Sequence, residues 1–209
     1  CFERLQTQTT IMATVRNSNH FGTSGYFSRK AAEKGYLAIV ASNASPTMAP
    51  WGGITPLLGT NPIAMSFPAA EFGDFTLDMA TSAIAKGKIR TFERKGELLP
   101  FGLAVDKEGN ETNDPKKAIE GTLLPMGQHK GYGLSMFIDV LCAGLSQANF
   151  SYETESMFKA ENKANIGHFF LLIKIQDVIQ LDLFTDRITD WFEKLKSAQR
   201  RPGFDEIFI

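Results

Sequence analysis

Four short stretches of this sequence carry residues that can do chemistry. His20 stands in RNSNHFGTSG (16–25), a turn dense in Asn, Ser and Gly between a strand-like run and a helix. An unperturbed imidazole titrates near ~6.5, so one held in a cleft can exchange a proton with a substrate hydroxyl near neutrality. The alternative is a turn histidine that bonds its own loop. GQHKGYG (127–133) sets His129 and Lys130 among three glycines that open a helix. Glycine lets backbone pass close to a ligand, and a helix start with an adjacent ammonium suits a phosphate or carboxylate. The same residues can also be no more than a turn entering a helix. In LDMATS (77–82), Asp78 at a strand end can accept from ribose or amide groups, or cap the next turn. Gly59-Thr60-Asn61-Pro62 reads as a turn that becomes a ligand loop only in context.

What is missing narrows the chemistry. GxGxxG is absent, so the usual Rossmann dinucleotide fingerprint is not available, and neither is GxxxxGK[ST]. There is no HExxH or CxxC, and His20, His129 and His168 lack metal-ligand spacing, so no zinc site is expected.

The elements that must position these residues follow from pattern. Residues 9–15 (TTIMATV) read as a strand. Ser24 is placed to cap a helix through Lys34, which Gly35 ends. Residues 37–41 form a short buried strand, and 45–62, with four prolines and three glycines, a long loop whose apolar side chains argue for order. Residues 63–67 and 75–79 are strands joined through Gly73-Asp74. Residues 80–88 read as a short helix begun by Thr81 or Ser82, and 95–121 as short strands alternating with turns. The GQHKGYG helix runs to about Leu145, apolar nearly all round and hence expected to be buried. Residues 168–175 (HFFLLIKI) are a continuous apolar strand. In 185–199, Ile188, Trp191, Phe192 and Leu195 fall on one face of a helix. Sheet and helix without regular βαβ alternation make the fold class α+β, a largely antiparallel or mixed sheet flanked by helices.

Composition bounds the partners. The 209 residues, 43% hydrophobic and 22% charged, suffice for a sizeable core in one domain or two. A formal charge of −1 lacks the basic excess of a nucleic-acid binder. No apolar run approaches the roughly 20 residues of a membrane span. Cys1 and Cys142 make no disulfide framework, which suits a reducing, cytoplasmic setting and makes the sequons at Asn43, Asn110 and Asn149 chance matches. Starting at Cys1 and ending on Phe208-Ile209, the chain reads as an internal piece of a longer protein.

Taken in order and spacing, NSNHFG (17–22), SNASP (42–46), PWGG (50–53), GTNPIA (59–64), LDMATS (77–82) and LLPMGQHKGYGL (123–134) resemble the malate/L-lactate dehydrogenase family that lacks a Rossmann fold. That family includes ureidoglycolate dehydrogenase, sulfolactate dehydrogenase and diketogulonate reductase. The resemblance runs on through NIGHFFLLI (165–173) to PGF (202–204). It implies the L-sulfolactate dehydrogenase-like NAD(P)-binding fold, hydride transfer between NAD or NADP and a small 2-hydroxy or 2-keto acid, and a homodimer. His20 matches the general acid/base histidine. Asp78, Met79 and Ala80 match a stretch lining the nicotinamide cofactor, and His129 and Lys130 the pair before GYG. Asn43 to Ser45 match a further cofactor loop, although many relatives have serine where Ala44 stands, and Asn61 in GTNPIA joins the cofactor set. Against the family, residues 1–209 form mainly the cofactor-binding domain, without the N-terminal substrate-binding part and the C-terminal tail. Two rival readings are an inactive dinucleotide-binding homologue and a reductase of imines or keto-sugar acids on the same scaffold.

Overall fold

The computed structural model describes residues 1–155 and 164–209. Its frame is a five-stranded sheet of β1 (Thr10–Ser18), β2 (Tyr36–Ser42), β3 (Ile63–Pro68), β4 (Asp74–Met79) and β7 (Ile166–Lys174), every neighbouring pair antiparallel, in the order β1-β7-β2-β3-β4. The last strand of the chain is thus inserted between the first two. That position explains its unbroken apolar run. Leu172 points with Ile11, Ala31 and Ala38 into one cluster, and Phe169 points with Ile63, Ile138 and Cys142 into another on the opposite face.

Helix α1 (Ser24–Ala32) covers the first face through small residues, Ser24, Gly25, Ser28, Ala31 and Ala32. Ser66 of β3 donates to Ser28 Oγ at 2.7 Å across that contact. Ser24 does not cap the helix as expected: Thr23 holds the cap position, and the Ser24 hydroxyl is buried without a partner. The capping acceptor comes instead from β4, where Asp78 Oδ2 takes the Gly25 N–H at 2.9 Å.

Two expectations fail. The short helix at 80–88 does not start at Thr81 or Ser82; α2 spans Lys86–Lys95. Backbone at 81–83 is already in use, since Thr81 N–H bonds Thr60 O, Ala83 N–H bonds Leu124 O, and Thr81 O accepts from Met126 N–H. The expected strands of 95–121 reduce to β5 (Ala104–Val105), paired with β6 (Thr122–Leu123), while Pro115–Glu120 is helix α3. Asp114 caps α3 by accepting from Lys116 N–H at 2.8 Å, with Pro115 at the first helical position. These elements enclose a separate apolar cluster with Met48 and Leu58 from the long loop, which isolated bridges to Leu58 and Leu123 hold in place.

Helix α4 (His129–Asp139) runs into a π-helical turn, Val140–Gly144. It is not buried all round. Ser135, Ile138 and Asp139 face the sheet, while Met136, Val140 and Phe137, the last 60% exposed, face outward. Helix α5 (Leu181–Lys196) anchors through Phe192, 2% exposed among Phe67, Phe72 and Phe75, whereas Trp191 is 53% exposed. No helix among the described residues is long and apolar enough to cross a membrane.

Two measurements check this packing. Phe192→Ala removes the one buried anchor of α5 and is expected to lower unfolding stability by about 3–5 kcal/mol in a urea titration; a loss under ~1 kcal/mol would show α5 to be loosely seated. Burial pushes the Cys142 thiol up to about 12, so at pH 8 a thiol reagent should label the exposed Cys1 and reach Cys142 only after unfolding.

Candidate active site

His20 is exposed on the turn that leaves β1, and its Nδ1 accepts the Gly22 N–H at 3.1 Å. In the neutral ring that bond puts the proton on Nε2, the nitrogen left for a bound group. His20, Phe21 and Gly22 form one wall of a hollow of about 90 Å³; Ser42, Asn43, Ala44 and Ser45 form another, with Thr60 and Pro62 beside them.

The second wall is built from buried amides. Asn43, 1% exposed, accepts from Gly167 N–H at 2.9 Å and donates to Asp139 Oδ1 at 2.9 Å and Asn149 O at 2.7 Å. Asn61, fully buried, accepts from Ala44 N–H at 3.0 Å and Ser151 Oγ at 3.2 Å and donates to Ser135 O at 3.0 Å. Both side chains are thus engaged inside the fold. Of the cofactor residues expected in this loop, Asn43 and Ser45 line the hollow, while Asn61 stands behind it and holds Ala44. Burial raises the Asp139 carboxyl above its ordinary range, partly offset by the bonds from Asn43 and Ser151.

Asp78, Met79 and Ala80 lie on the chain just before a backbone contact with the loop that precedes His129 and Lys130. Thr81 O accepts from Met126 N–H at 2.9 Å, and a Cβ on Gly131 would lie 2.7 Å from the same oxygen and 2.2 Å from Met126 O. Only glycine allows that approach, so the exit of β4 and the start of α4 are locked together. Met79 packs into the sheet core, and His129 and Lys130 are exposed. The loop's own carbonyls take the N–H groups of Lys130, Gly131 and Tyr132, so the helix start offers a cation more than a ring of free amides.

The two sets of residues are joined but do not line one hollow. Asp78 reaches the His20 turn through Gly25, and Thr81 reaches the second wall through bonds to Thr60 O at 2.9 and 3.0 Å. His129 and Lys130 are not among the residues around the 90 Å³ space. Among the described residues no group of three or more His, Cys, Asp or Glu is placed to hold a metal ion.

Two residues outside the expected set tie these elements together. His168 lies under Phe21, with its ring centroid 4.0 Å away and the planes within 7°, and burial holds its pKa down to about 4. Asp139 ties α4 to Asn43. The signal in both cases was a lone polar residue inside an apolar run.

The sequence model for malate/L-lactate dehydrogenase matches residues 1–209. The chain belongs to that family. It is 41% identical over 203 residues to the malate dehydrogenase of Pyrococcus horikoshii, covering 93% of this chain and 56% of that one. The solved sulfolactate dehydrogenase of Methanocaldococcus jannaschii superposes with a TM-score of 0.90 at 36% identity, over 98% of this chain and 59% of that one. A Pseudomonas putida Delta(1)-pyrroline-2-carboxylate/Delta(1)-piperideine-2-carboxylate reductase is 43% identical over 140 residues, 66% of this chain and 41% of that protein. The family's fold, helices on an antiparallel sheet, is the fold found here. The chain spans little more than half the length of these dehydrogenases.

His168 predicts a pH dependence. Its folded pKa of about 4 lies below the ordinary 6.5, so between those values the unfolded chain binds a proton that the folded one refuses. Stability is therefore full above pH 6.5 and falls as pH drops toward 4, by about 3 kcal/mol in all. Urea unfolding of the wild type and His168→Phe across this range should diverge by that amount. The opposite contribution of Asp139 cancels in the difference, and parallel curves would contradict the assignment.

Proposed function

We propose that this chain is the cofactor-binding and acid–base part of an oxidoreductase that moves a hydride between NAD or NADP and a small 2-hydroxy or 2-keto acid, with His20 as general acid/base. The observation that supports it is His20 itself: one nitrogen is engaged by its own turn, leaving the other beside a hollow.

The residues present fit a nicotinamide cofactor. Ser45 and the backbone of 43–44 would hold the ring end, the Asp78 carboxylate would accept from ribose or amide groups, and the Lys130 ammonium beside His129 would meet the anionic phosphates. When bound, the cofactor supplies the hydride acceptor or donor. The rest of the chemistry is assigned to His20. With Nδ1 accepting from Gly22, the neutral ring donates Nε2–H to a substrate carbonyl and polarises it. To give a proton outright, the ring must carry a second proton at Nδ1, and to take a hydroxyl proton at Nε2 it must hold its own at Nδ1. Either state releases the Gly22 amide, so this bond sets which protonation state waits at the cleft. General acid–base help of this kind contributes on the order of 10²–10⁴ in rate.

The second reading, reduction of a cyclic imino acid, draws on the Pseudomonas relative and uses the same Nε2–H against an imine nitrogen. One experiment addresses both. His20→Asn should keep NADH or NADPH binding, read by quenching of tryptophan fluorescence, within about three-fold and lose about 10²–10⁴ in turnover on a panel of 2-keto and cyclic imino acids. Undiminished turnover would remove His20 from the mechanism, and turnover confined to imines would select the second reading.

A further inference from the structure

The buried polar group that the acid–base reading leaves unused is His168. It stands in β7 (IGHFFLLIK), beside the apolar run that follows it, and is only 2% exposed. Each ring nitrogen lies 2.9 Å from a serine hydroxyl, Nδ1 from Ser42 Oγ on β2 and Nε2 from Ser18 Oγ on β1. Ser42 sends its own proton to Asn43 O at 2.9 Å, so its oxygen accepts from Nδ1–H. Nε2 pairs with the Ser18 hydroxyl, which also lies 3.3 Å from Asn19 O. The pairing shift between Val15 and Ser18, with Asn17 at φ 55°, is the irregularity that brings Ser18 to this ring.

The face of this held ring carries Phe21, which also stacks on Phe27 at 4.8 Å and 16°. Phe21 follows His20 directly and lines the same hollow. We infer that His168 is a positioning residue for His20: a ring gripped by serines on both neighbouring strands, serving as a flat bed for Phe21 and so holding the turn that places the His20 imidazole beside the hollow, a placement that the resting Gly22 N–H to Nδ1 bond reports. The inference rests on the acid–base reading of His20 for its functional meaning, but its geometry can be tested separately.

The test reads the His20 tautomer by long-range ¹H–¹⁵N ring correlations in the chain, with turnover and cofactor affinity beside it. Wild type should show the Nε2–H form. His168→Gln, which keeps polar groups but removes the bed, should shift His20 to the averaged pattern of a free imidazole, cut kcat at least ten-fold and leave cofactor Kd within two-fold. His168→Phe combined with Ser18→Ala and Ser42→Ala restores an apolar bed without orphaned hydroxyls and should return the Nε2–H pattern. An unchanged His20 pattern in His168→Gln would overturn the proposal. So would a fall in cofactor affinity that tracks kcat, or a triple variant that keeps the averaged pattern. If His168→Gln does not fold, Phe21→Leu is read by the same criteria. Normal turnover in His20→Asn would remove the catalytic reading and leave the tautomer result standing, so the two failures are distinguishable.

Discussion

The structure depends on a small set of buried amides that cross-link segments remote in sequence. Asn43 bonds β7, α4 and the Asn149 carbonyl, and Asn61 bonds the 44 amide, the 135 carbonyl and Ser151. A buried polar group left unpaired costs about 1–3 kcal/mol, so these networks hold only when all members are in register. Because Asp139 sits on α4 and Gly167 on β7, the loop carrying Ala44 and Ser45 keeps its shape only if helix and strand are both docked. The wall facing His20 is therefore a property of the whole sheet and not of its own loop.

Insertion of β7 between β1 and β2 gives that wall its counterpart. The strand brings His168 under the turn of His20 while its other face packs α4, so one element couples both sides of the hollow. Two close approaches complete the frame. Asp78 seats on the first turn of α1, where a Cβ on Gly25 would lie 2.7 Å from its carboxylate, and Gly131 presses against the exit of β4. A negative charge at a helix start is favourable in itself. Here it also fixes β4 relative to the turn bearing the imidazole.

Much of this was legible in the sequence. The five main strands, α1 and α5 follow from period and punctuation, because their apolar residues alternate or recur as burial on one or two faces requires. The α+β class and the family resemblance stand with the structure and the relatives. Where the reading failed, the causes differ. Thr81 and Ser82 look like helix starts, but their strand-like course is set by Thr60, Leu124 and Met126. Asn113-Asp114-Pro115 looks like a turn, and the same chemistry is that of a capped helix start. Residues 129–145 are apolar nearly all round, yet Phe137 and Val140 face outward, since composition does not say which faces find a partner.

The site divided in the same way. His20 stands out in its polar turn, and its bond from Gly22 N–H is the turn contact that the sequence also allowed; Gly131 is marked by its spacing. Asn43 and Asn61 look alike whether they hold a ligand or a loop, because an amide's bonding capacity is the same in either use. His168 and Asp139 could be suspected only as polar residues in apolar runs, and their partners Ser42, Ser18 and Asn43 come from strands and loops more than 90 residues distant in sequence.

The central claim is that the free nitrogen of His20 faces the reactive end of a nicotinamide cofactor. Its most direct test is an intermolecular nuclear Overhauser measurement on the protein saturated with reduced cofactor. Contact between the C4 protons of the dihydronicotinamide ring and the ring protons of His20 is the predicted result. A fully bound cofactor whose C4 protons show no contact with that imidazole, or whose adenine protons touch it instead, would contradict the account.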